Sequence, residues 1–148
     1  VAMTNLAWNI VDLSNVVLDD YGIIDSISSG RVKLLTGSYE MQAFAAPYAS
    51  RTSTSMVMQL YNITDSNTVW RTNGNYSGGN EADYHSHIMS FDSAGGVDVN
   101  HGGGFEEFEL QIYPTSSHNR YFGYNREIES LLDDRGRASA YIVIKQTD

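Results

Sequence analysis

The sequence predicts an all-β fold, an antiparallel β-sandwich, from three observations. Several segments alternate apolar and polar residues with a period of two, which is typical of strands that bury one face. The 148 residues include 13 glycines and 10 tyrosines, residue types common in turns and strands. No segment keeps a 3.6-residue apolar stripe over three turns, so no long helix is expected. A chain of this length predicts one domain, residues 1–148.

The N-terminal thirty residues predict short strands and turns in an acidic segment. Its apolar pieces are separated by Asp, Ser, Asn and Gly, which favours brief strands over a helix. Four acidic residues precede the first basic residue, Arg31, and these are Asp12, Asp19, Asp20 and Asp25. We expect residues 1–30 to dock on basic partners or to pack between subunits.

Two alternating segments then predict strands of the core. The first places four apolar residues on one face, and these are Tyr39, Met41, Ala43 and Ala45. The second places Met56, Met58 and Leu60 on one face. Residues 61–67 contain a polar cluster and precede Val69 and Trp70, so they predict a hairpin turn after that strand.

The segment 74–104 contains eight of the 13 glycines. Glycine tolerates turn conformations that other residues avoid, so this segment predicts long loops around one strand, His85–Phe91. The closing strand is predicted over Ala138–Lys145, after a short turn at Leu131–Gly136.

A further strand is predicted over Phe105–Tyr113, and Pro114 ends it because proline cannot donate to a ladder. Its apolar face carries Phe108, Leu110 and Ile112. The alternate positions Glu107, Glu109 and Gln111 are polar, so we expect that face to contact solvent.

Charge and composition exclude several classes of protein. Nine Lys and Arg against 18 Asp and Glu give a net charge of −9, which disfavours nucleic acid and anionic membranes as partners. The absence of cysteine excludes disulfides, thiolate nucleophiles and zinc fingers. Apolar runs are far shorter than the roughly 18 residues that a membrane-spanning helix needs, so no membrane insertion is expected.

Six short stretches along the chain occur in an order that resembles one protein family. They are Trp8-Asn9 with Asp12–Asn15, Leu35–Glu40 leading into Ala43–Pro47, Leu60–Asp65, Phe108–Gln111, Tyr121–Gly123 and Ala140–Lys145. This succession resembles a domain found at the tips of bacteriophage tail fibres and in related virion proteins. The chain departs from the family pattern at Tyr48–Ser53, where members usually carry a basic segment, and in its longer glycine-rich insertions.

The resemblance implies a jelly roll similar to the tumour-necrosis-factor and complement globular-head fold, assembled as a homotrimer on the outer surface of the virion. The implied function is non-enzymatic, that of a capsid decoration (cement) protein or a head or tail fibre that reinforces the particle and contacts other virion proteins. The chain has no heptads and no Gly-x-y repeat, which favours decoration if the sequence is the whole gene product and a fibre tip if it is a fragment. The alternative is a tail-fibre-tip adhesin that binds host glycans or another host receptor.

Aromatic residues supply the candidate contact positions. Subunits of a trimer are expected to bury apolar faces around Trp8, Trp70, Phe108 and Tyr141. Aromatic side chains on loops and strand ends stack on sugars or anchor partners, although most tyrosines in a β protein serve packing. The candidate ligand or receptor contacts are Tyr84, Tyr121, Phe122 and Tyr124.

A metal site is the alternative chemical hypothesis. His85 and His87 are two positions apart, so on a strand both imidazoles lie on one face and can chelate a divalent metal. The spacing resembles the first metal motif of the cupins, which are jelly-roll proteins. Asp92 stands where a cupin carries Glu, and His101 and His118 lie in no second cupin motif. Two histidines at this spacing more often belong to an ordinary polar strand face than to a metal site.

Other enzymatic motifs are weak, and the sequence predicts no catalytic residue and no cofactor. Glu107 and Glu109 share a strand face while Glu106 points the other way, and solvated carboxylates are commoner than a glycosidase pair. No Gly-x-Ser-x-Gly elbow and no phosphate-binding loop is present.

Overall fold

The structure, a computed structural model, describes residues 6–11, 13, 22–45, 48–49, 54–76, 85–86, 89–92, 96–114, 120–121 and 140–147. Within these ranges the protein is all-β, every strand pairing is antiparallel and no helix occurs. The predicted fold class is confirmed at this level. No helix in the described ranges is long and apolar enough to cross a membrane.

The described strands, in chain order, are β1 Asn9–Ile10, β2 Ile24–Ser28, β3 Arg31–Leu35, β4 Gly37–Ala45, β5 Tyr48–Ala49, β6 Thr54–Asn62, β7 Asn67–Tyr76, β8 His85–Ser86, β9 Met89–Asp92, β10 Val97–Val99, β11 Phe105–Pro114, β12 Arg120–Tyr121 and β13 Ala140–Gln146. The largest sheet has the order β2-β3-β11-β6-β7, and β1 also pairs with β11. A second sheet has the order β10-β4-β13, and β9 also pairs with β4. Short strands form a third sheet, β12-β5-β8.

The hydrophobic core joins the two larger sheets. The largest sheet contributes Val32, Leu34, Met56, Met58, Leu60, Phe108, Leu110 and Ile112, and the second sheet contributes Tyr39, Met41, Ala43, Ala45, Val97 and Val99. Because one buried cluster contains side chains of both sheets, their apolar faces pack together as in a β-sandwich. The core faces predicted for β4, β6 and β11 are confirmed.

Two hairpins of the largest sheet follow from local turn chemistry. Ser29 and Gly30 connect β2 to β3, and both have positive φ, 54° and 76°. A two-residue turn of this kind matches the twist of the flanking strands. Residues 63–66 connect β6 to β7 and include Ser66 at φ 54°, so the predicted hairpin is confirmed.

The prediction of one strand over His85–Phe91 is wrong. The segment contains two short strands in different sheets, β8 beside β5 and β9 beside β4. A period-two pattern cannot distinguish one strand from two successive ones, because each alternates in the same way. Residues 97–99, predicted to be loop, form β10 and bury Val97 and Val99 against the core.

The prediction that the second face of β11 contacts solvent is wrong at two of its three polar positions, whereas Glu107 is partly exposed. Glu109 is 2% exposed and Gln111 is 9% exposed. Polar side chains of the neighbouring strands bond to both, as described below, so their polar atoms are satisfied without water. The turn predicted at Leu131–Gly136 lies outside the described residues.

Candidate functional site

The described residues contain two clusters of polar side chains. The turn cluster comprises Asn62, Asp65, His101 and Glu106, where the β6–β7 turn meets the β10–β11 loop. The polar row comprises Arg31, Gln59, Thr68, Arg71, Glu109 and Gln111 and crosses the outer face of the largest sheet, opposite the core. Each cluster follows from the register of the strands that carry it.

The β6–β7 turn positions Asp65 through its own hydrogen bonds. Asn62, the last residue of β6, accepts a hydrogen bond at Oδ1 from the backbone N–H of Asp65, at 3.0 Å. Side chains of Asn commonly stabilise turns in this way. The turn is also attached to β11, because the backbone N–H of Glu107 donates to Thr64 Oγ1 at 2.9 Å and that of Ile63 donates to the Glu107 carbonyl at 2.8 Å.

Strand parity places Glu106 on the core side of β11. It lies opposite Leu34 of β3 and shares its face with Phe108 and Leu110, and it is only 1% exposed. Asn62 Nδ2 lies 3.3 Å from Glu106 Oε1 and donates to it. The other oxygen, Oε2, is buried and has no hydrogen-bond partner among the described residues. A buried acceptor in this state is costly unless a proton or a cation reaches it.

Asp65 is the neighbouring carboxylate and is partly solvated. Its side chain is 41% exposed, and Oδ1 lies 3.4 Å from Nδ1 of His101. Asn62 Nδ2 also lies 3.5 Å from Asp65 Oδ2, so this one amide faces both carboxyl groups. Burial raises the pKa of Glu106, and the neighbouring Asp65 carboxyl group raises that pKa further, while the Asn62 amide lowers it.

The arrangement of the turn cluster suits proton binding better than metal binding. Within the described ranges, no group of three or more His, Cys, Asp or Glu side chains is placed to hold a metal ion. Two carboxyl groups in contact, one of them buried, share a proton readily, because both cannot ionise without strong repulsion.

The polar row is a continuous chain of hydrogen bonds across β3, β11, β6 and β7. Glu109 accepts from Arg31 Nε at 2.8 Å and from Gln111 Nε2 at 2.6 Å. Gln59 Nε2 donates to Gln111 Oε1 at 2.6 Å, and Gln59 Oε1 accepts from Arg71 Nη2, also at 2.6 Å. A guanidinium therefore stands at each end, and both Glu109 oxygens are satisfied. The Glu109 carboxylate raises the pKa of the Arg31 guanidinium through its hydrogen bond and its charge.

Exposed apolar side chains accompany the polar row on the outer face. Trp8 packs edge-on against Tyr113 with ring centroids 5.2 Å apart, and the Arg71 guanidinium lies 5.3 Å from the Trp8 ring. Trp8 remains 39% exposed. Ile10 lies opposite Gln111 and Leu35 lies opposite Phe105, and these two side chains are 42% and 41% exposed. The outer face thus combines fixed charges with apolar surface.

Three of the four predicted subunit-interface residues have described side chains, and these three lie in different environments. Trp8 lies on the outer face, whereas Trp70 packs partly buried against the core. Phe108 is 1% exposed inside the core of its own chain, so in this fold its side chain does not reach a subunit surface. Tyr141 lies on β13 opposite Phe44. The structure therefore does not bring the four residues together on one surface.

The predicted metal and ligand residues fall mainly outside the described ranges. His85 lies on β8 opposite Ala49, and Tyr121 lies on β12 opposite Tyr48, so both belong to the small sheet centred on β5. The remaining candidates lie outside the described residues, and these are His87, Tyr84, Phe122 and Tyr124. The metal hypothesis and the contact hypothesis stay predictions.

The turn cluster was not predicted, although the sequence contains a signal for it. Glu106 has the same parity as Phe108, Leu110 and Ile112, so the alternation that predicts the core face also places Glu106 on it. An acidic residue at a core position indicates a paired or protonated carboxyl. Its partner Asp65 is 41 positions away, and only the pairing of β6 with β11 brings the two together.

Fold and site together define an all-β protein of antiparallel sheets with a hydrogen-bonded polar row on one outer face and a buried carboxyl group at one end. No model of a known protein family matches the sequence, and no curated protein matches it either.

Proposed function

We propose that the protein is a non-enzymatic structural protein of the bacteriophage virion surface, a homotrimeric jelly roll that decorates the capsid or forms part of a head or tail fibre. Six stretches occur along the chain in an order that resembles tail-fibre-tip domains, and this resemblance supports the proposal. The all-β architecture agrees with it. Its partners are further copies of this chain, other virion proteins and a glycan or receptor of the host surface.

The outer face of the largest sheet is the observation that carries the proposal. Its charged groups are already bonded to one another, so they hold a fixed surface rather than reach for a reacting substrate. Trp8 adds an exposed aromatic ring whose position is set by Tyr113 and Arg71. Exposed aromatic and apolar groups beside guanidinium groups are typical of the central part of protein interfaces. We infer that copies of the chain associate through this face.

Sedimentation of the full chain tests the proposed trimer. We expect the wild-type protein to sediment as a trimer at micromolar concentration and Trp8→Ala to dissociate. Val143→Ala is the matched control, because Val143 is 51% exposed but lies on β13 of the other sheet. A monomeric wild-type protein, or equal dissociation of both variants, would contradict association through the outer face. Gold-labelled antibody on purified particles then tests the virion location.

A glycan-binding adhesin is the second candidate, and the exposed ring of Trp8 favours it. Aromatic rings flanked by hydrogen-bonding groups are a suitable platform for sugars. A glycan array probed with the wild-type chain and with Trp8→Ala separates the two functions. Glycan signals that disappear in Trp8→Ala support the adhesin, whereas an array without signals leaves decoration as the proposal.

The cupin-like metal hypothesis has a separate test. Elemental analysis of the purified chain, compared with a variant carrying His85→Ala and His87→Ala, measures bound metal directly. Stoichiometric metal that is lost in the double variant would replace the non-enzymatic proposal with a metal-dependent one.

A further inference from the structure

We propose that Glu106 binds a proton in the folded protein and donates a hydrogen bond from Oε2 to the Asp65 carboxylate, forming a proton-controlled latch between the β6–β7 turn and β11. This inference does not depend on the proposed function. It concerns the end of the protein where the turn cluster lies and assigns that end a response to pH.

The count of donors and acceptors in the turn cluster is the first argument. Glu106 and Asp65 together present four carboxyl oxygens, whereas the described side-chain donors that face them are the Asn62 amide and the His101 ring. Glu106 Oε2 receives no hydrogen bond from a described residue although it is fully buried. A proton on this oxygen converts an unsatisfied acceptor into a donor, and the adjacent Asp65 carboxylate is the acceptor that it requires.

The environments of the two carboxyl groups decide which one holds the proton. Asp65 is 41% exposed and lies beside His101, so its carboxyl group keeps contact with water. Glu106 is 1% exposed and packs beside core residues, which favours its neutral form. Two carboxyl groups whose environments differ in this way divide into one acid and one carboxylate.

The other charged groups named near Glu106 do not pair with its carboxyl group in place of this proton. Lys33, on the neighbouring strand β3, projects from the opposite face, where its ammonium lies 3.1 Å from Asp25 and 3.8 Å from the Phe105 ring centroid. Glu107 also projects from that face, because adjacent residues of a strand alternate. On the side of the β10–β11 loop, the backbone N–H of Asn100 favours the ionised form of Glu106, but burial and Asp65 outweigh it.

The latch weakens as pH rises. The pKa of Glu106 in the folded state is raised above its ordinary value of 4.5. The contribution of the protonated form to the stability of the folded state is therefore complete at pH values below 4.5. The stabilisation is lost as pH rises through the raised folded-state pKa. Deprotonation then leaves two carboxylates in contact, one of them buried, which favours separation of the turn from β11.

Carboxyl carbon NMR on the full wild-type chain tests the protonation directly. We expect the Glu106 side-chain carboxyl signal to titrate above 4.5. A Glu106 signal that titrates at or below 4.5 would overturn the proposal, and this measurement needs no variant to fold.

Unfolding by denaturant, measured between pH 4 and pH 8, supplies the second test. In Glu106→Gln an amide replaces the protonated carboxyl and keeps a donor toward Asp65. The unfolding equilibrium constant of the wild type, relative to Glu106→Gln, should rise by up to about tenfold per pH unit above the ordinary Glu pKa. The matched control Glu40→Gln lies exposed on β4 and should show no such trend. A flat or falling ratio, or stabilisation by calcium that requires Glu106, would show that a proton does not hold the pair.

Discussion

Arg31 and Glu109 lie opposite each other on β3 and β11, and the Arg31 Nε–Glu109 Oε1 distance is 2.8 Å although their exposures differ greatly. The Arg31 side chain is 45% exposed, whereas that of Glu109 is 3% exposed. The ion pair therefore joins a solvent-exposed guanidinium to a buried carboxylate. Glu109 also accepts from Gln111, so the ion pair is the first link of the polar row.

Replacement of Arg31 is expected to lower the melting temperature because it leaves Glu109 buried without its cation. Removing one partner of a buried pair costs more than the pair contributes, since the remaining charge is uncompensated. Lys33→Met is the matched control, because Lys33 lies on the same strand and face but pairs with Asp25, which is 44% exposed. Scanning calorimetry should show a larger decrease for Arg31→Met than for Lys33→Met. Equal decreases would mean that Glu109 is hydrated without Arg31.

Gln59 is the central link of the polar row, and its loss should be more severe than that of a surface glutamine. It is 2% exposed, donates to Gln111 and accepts from Thr68 and Arg71. Truncation leaves buried polar groups unsatisfied at roughly 1–3 kcal/mol each. We expect Gln59→Ala to lower the free energy of unfolding by about 2–3 kcal/mol.

Gln42→Ala is the control for Gln59→Ala, because Gln42 is exposed on β4 and its loss should change stability by about 0.5 kcal/mol or less. Urea unfolding monitored by tryptophan fluorescence measures both variants. If Gln59→Ala is as stable as Gln42→Ala, the polar row does not contribute to stability.

Period-two patterns predicted the parts of the fold in which apolar residues alternate. Tyr39 and Met41 on β4, and Met56 and Met58 on β6, lie on the core faces that the sequence indicates. These positions were predictable because burial of one strand face depends on local parity alone. The largest sheet and the second sheet then share the core, which is the packing that the fold class requires.

Long-range pairing explains what could not be predicted. Glu109 was expected to contact solvent, since a polar residue that alternates with apolar ones normally lies on a wet face. Its burial depends on Arg31 and Gln111, and Arg31 becomes its neighbour only through the register of β3 with β11. Asp65 and Glu106 likewise meet only through the pairing of β6 with β11. No local pattern encodes these registers.

Gly30 should be intolerant of any side chain, because two separate effects oppose one there. Its φ is +76°, and a Cβ would lie 2.7 Å from Ile10 Cγ2 and 2.9 Å from the Val11 carbonyl oxygen. Gly104→Ala is the matched control, since Gly104 has φ +84° but no heavy atom within 4 Å of the added carbon. Both variants carry the left-handed backbone cost of about 1–2 kcal/mol.

Thermal denaturation of the two glycine variants separates strain from collision. The free energy of unfolding of Gly30→Ala should be lower than that of Gly104→Ala by about 1–3 kcal/mol, the typical cost of forcing extra atoms into a packed site. Equal stability would show that β1 moves away from the β2–β3 turn at little cost. That outcome would also mean that Trp8, which precedes β1, is not held rigidly on the outer face.

Ser66 is a site where glycine should stabilise the protein. It is exposed and has φ 54° in the β6–β7 turn, a conformation that costs a non-glycine residue about 1–2 kcal/mol. Glycine removes this strain, but its greater freedom in the unfolded chain raises the entropic cost of folding by about 0.5–1 kcal/mol. Ser66→Gly should therefore raise the free energy of unfolding by about 0.5–1 kcal/mol.

Ser28→Gly is the control, because Ser28 lies within β2 and its φ is not positive, so glycine there should destabilise the protein. Denaturant unfolding of both variants decides the sign, and a loss of stability in Ser66→Gly would mean that Ser66 contributes more to the turn than its backbone strain removes.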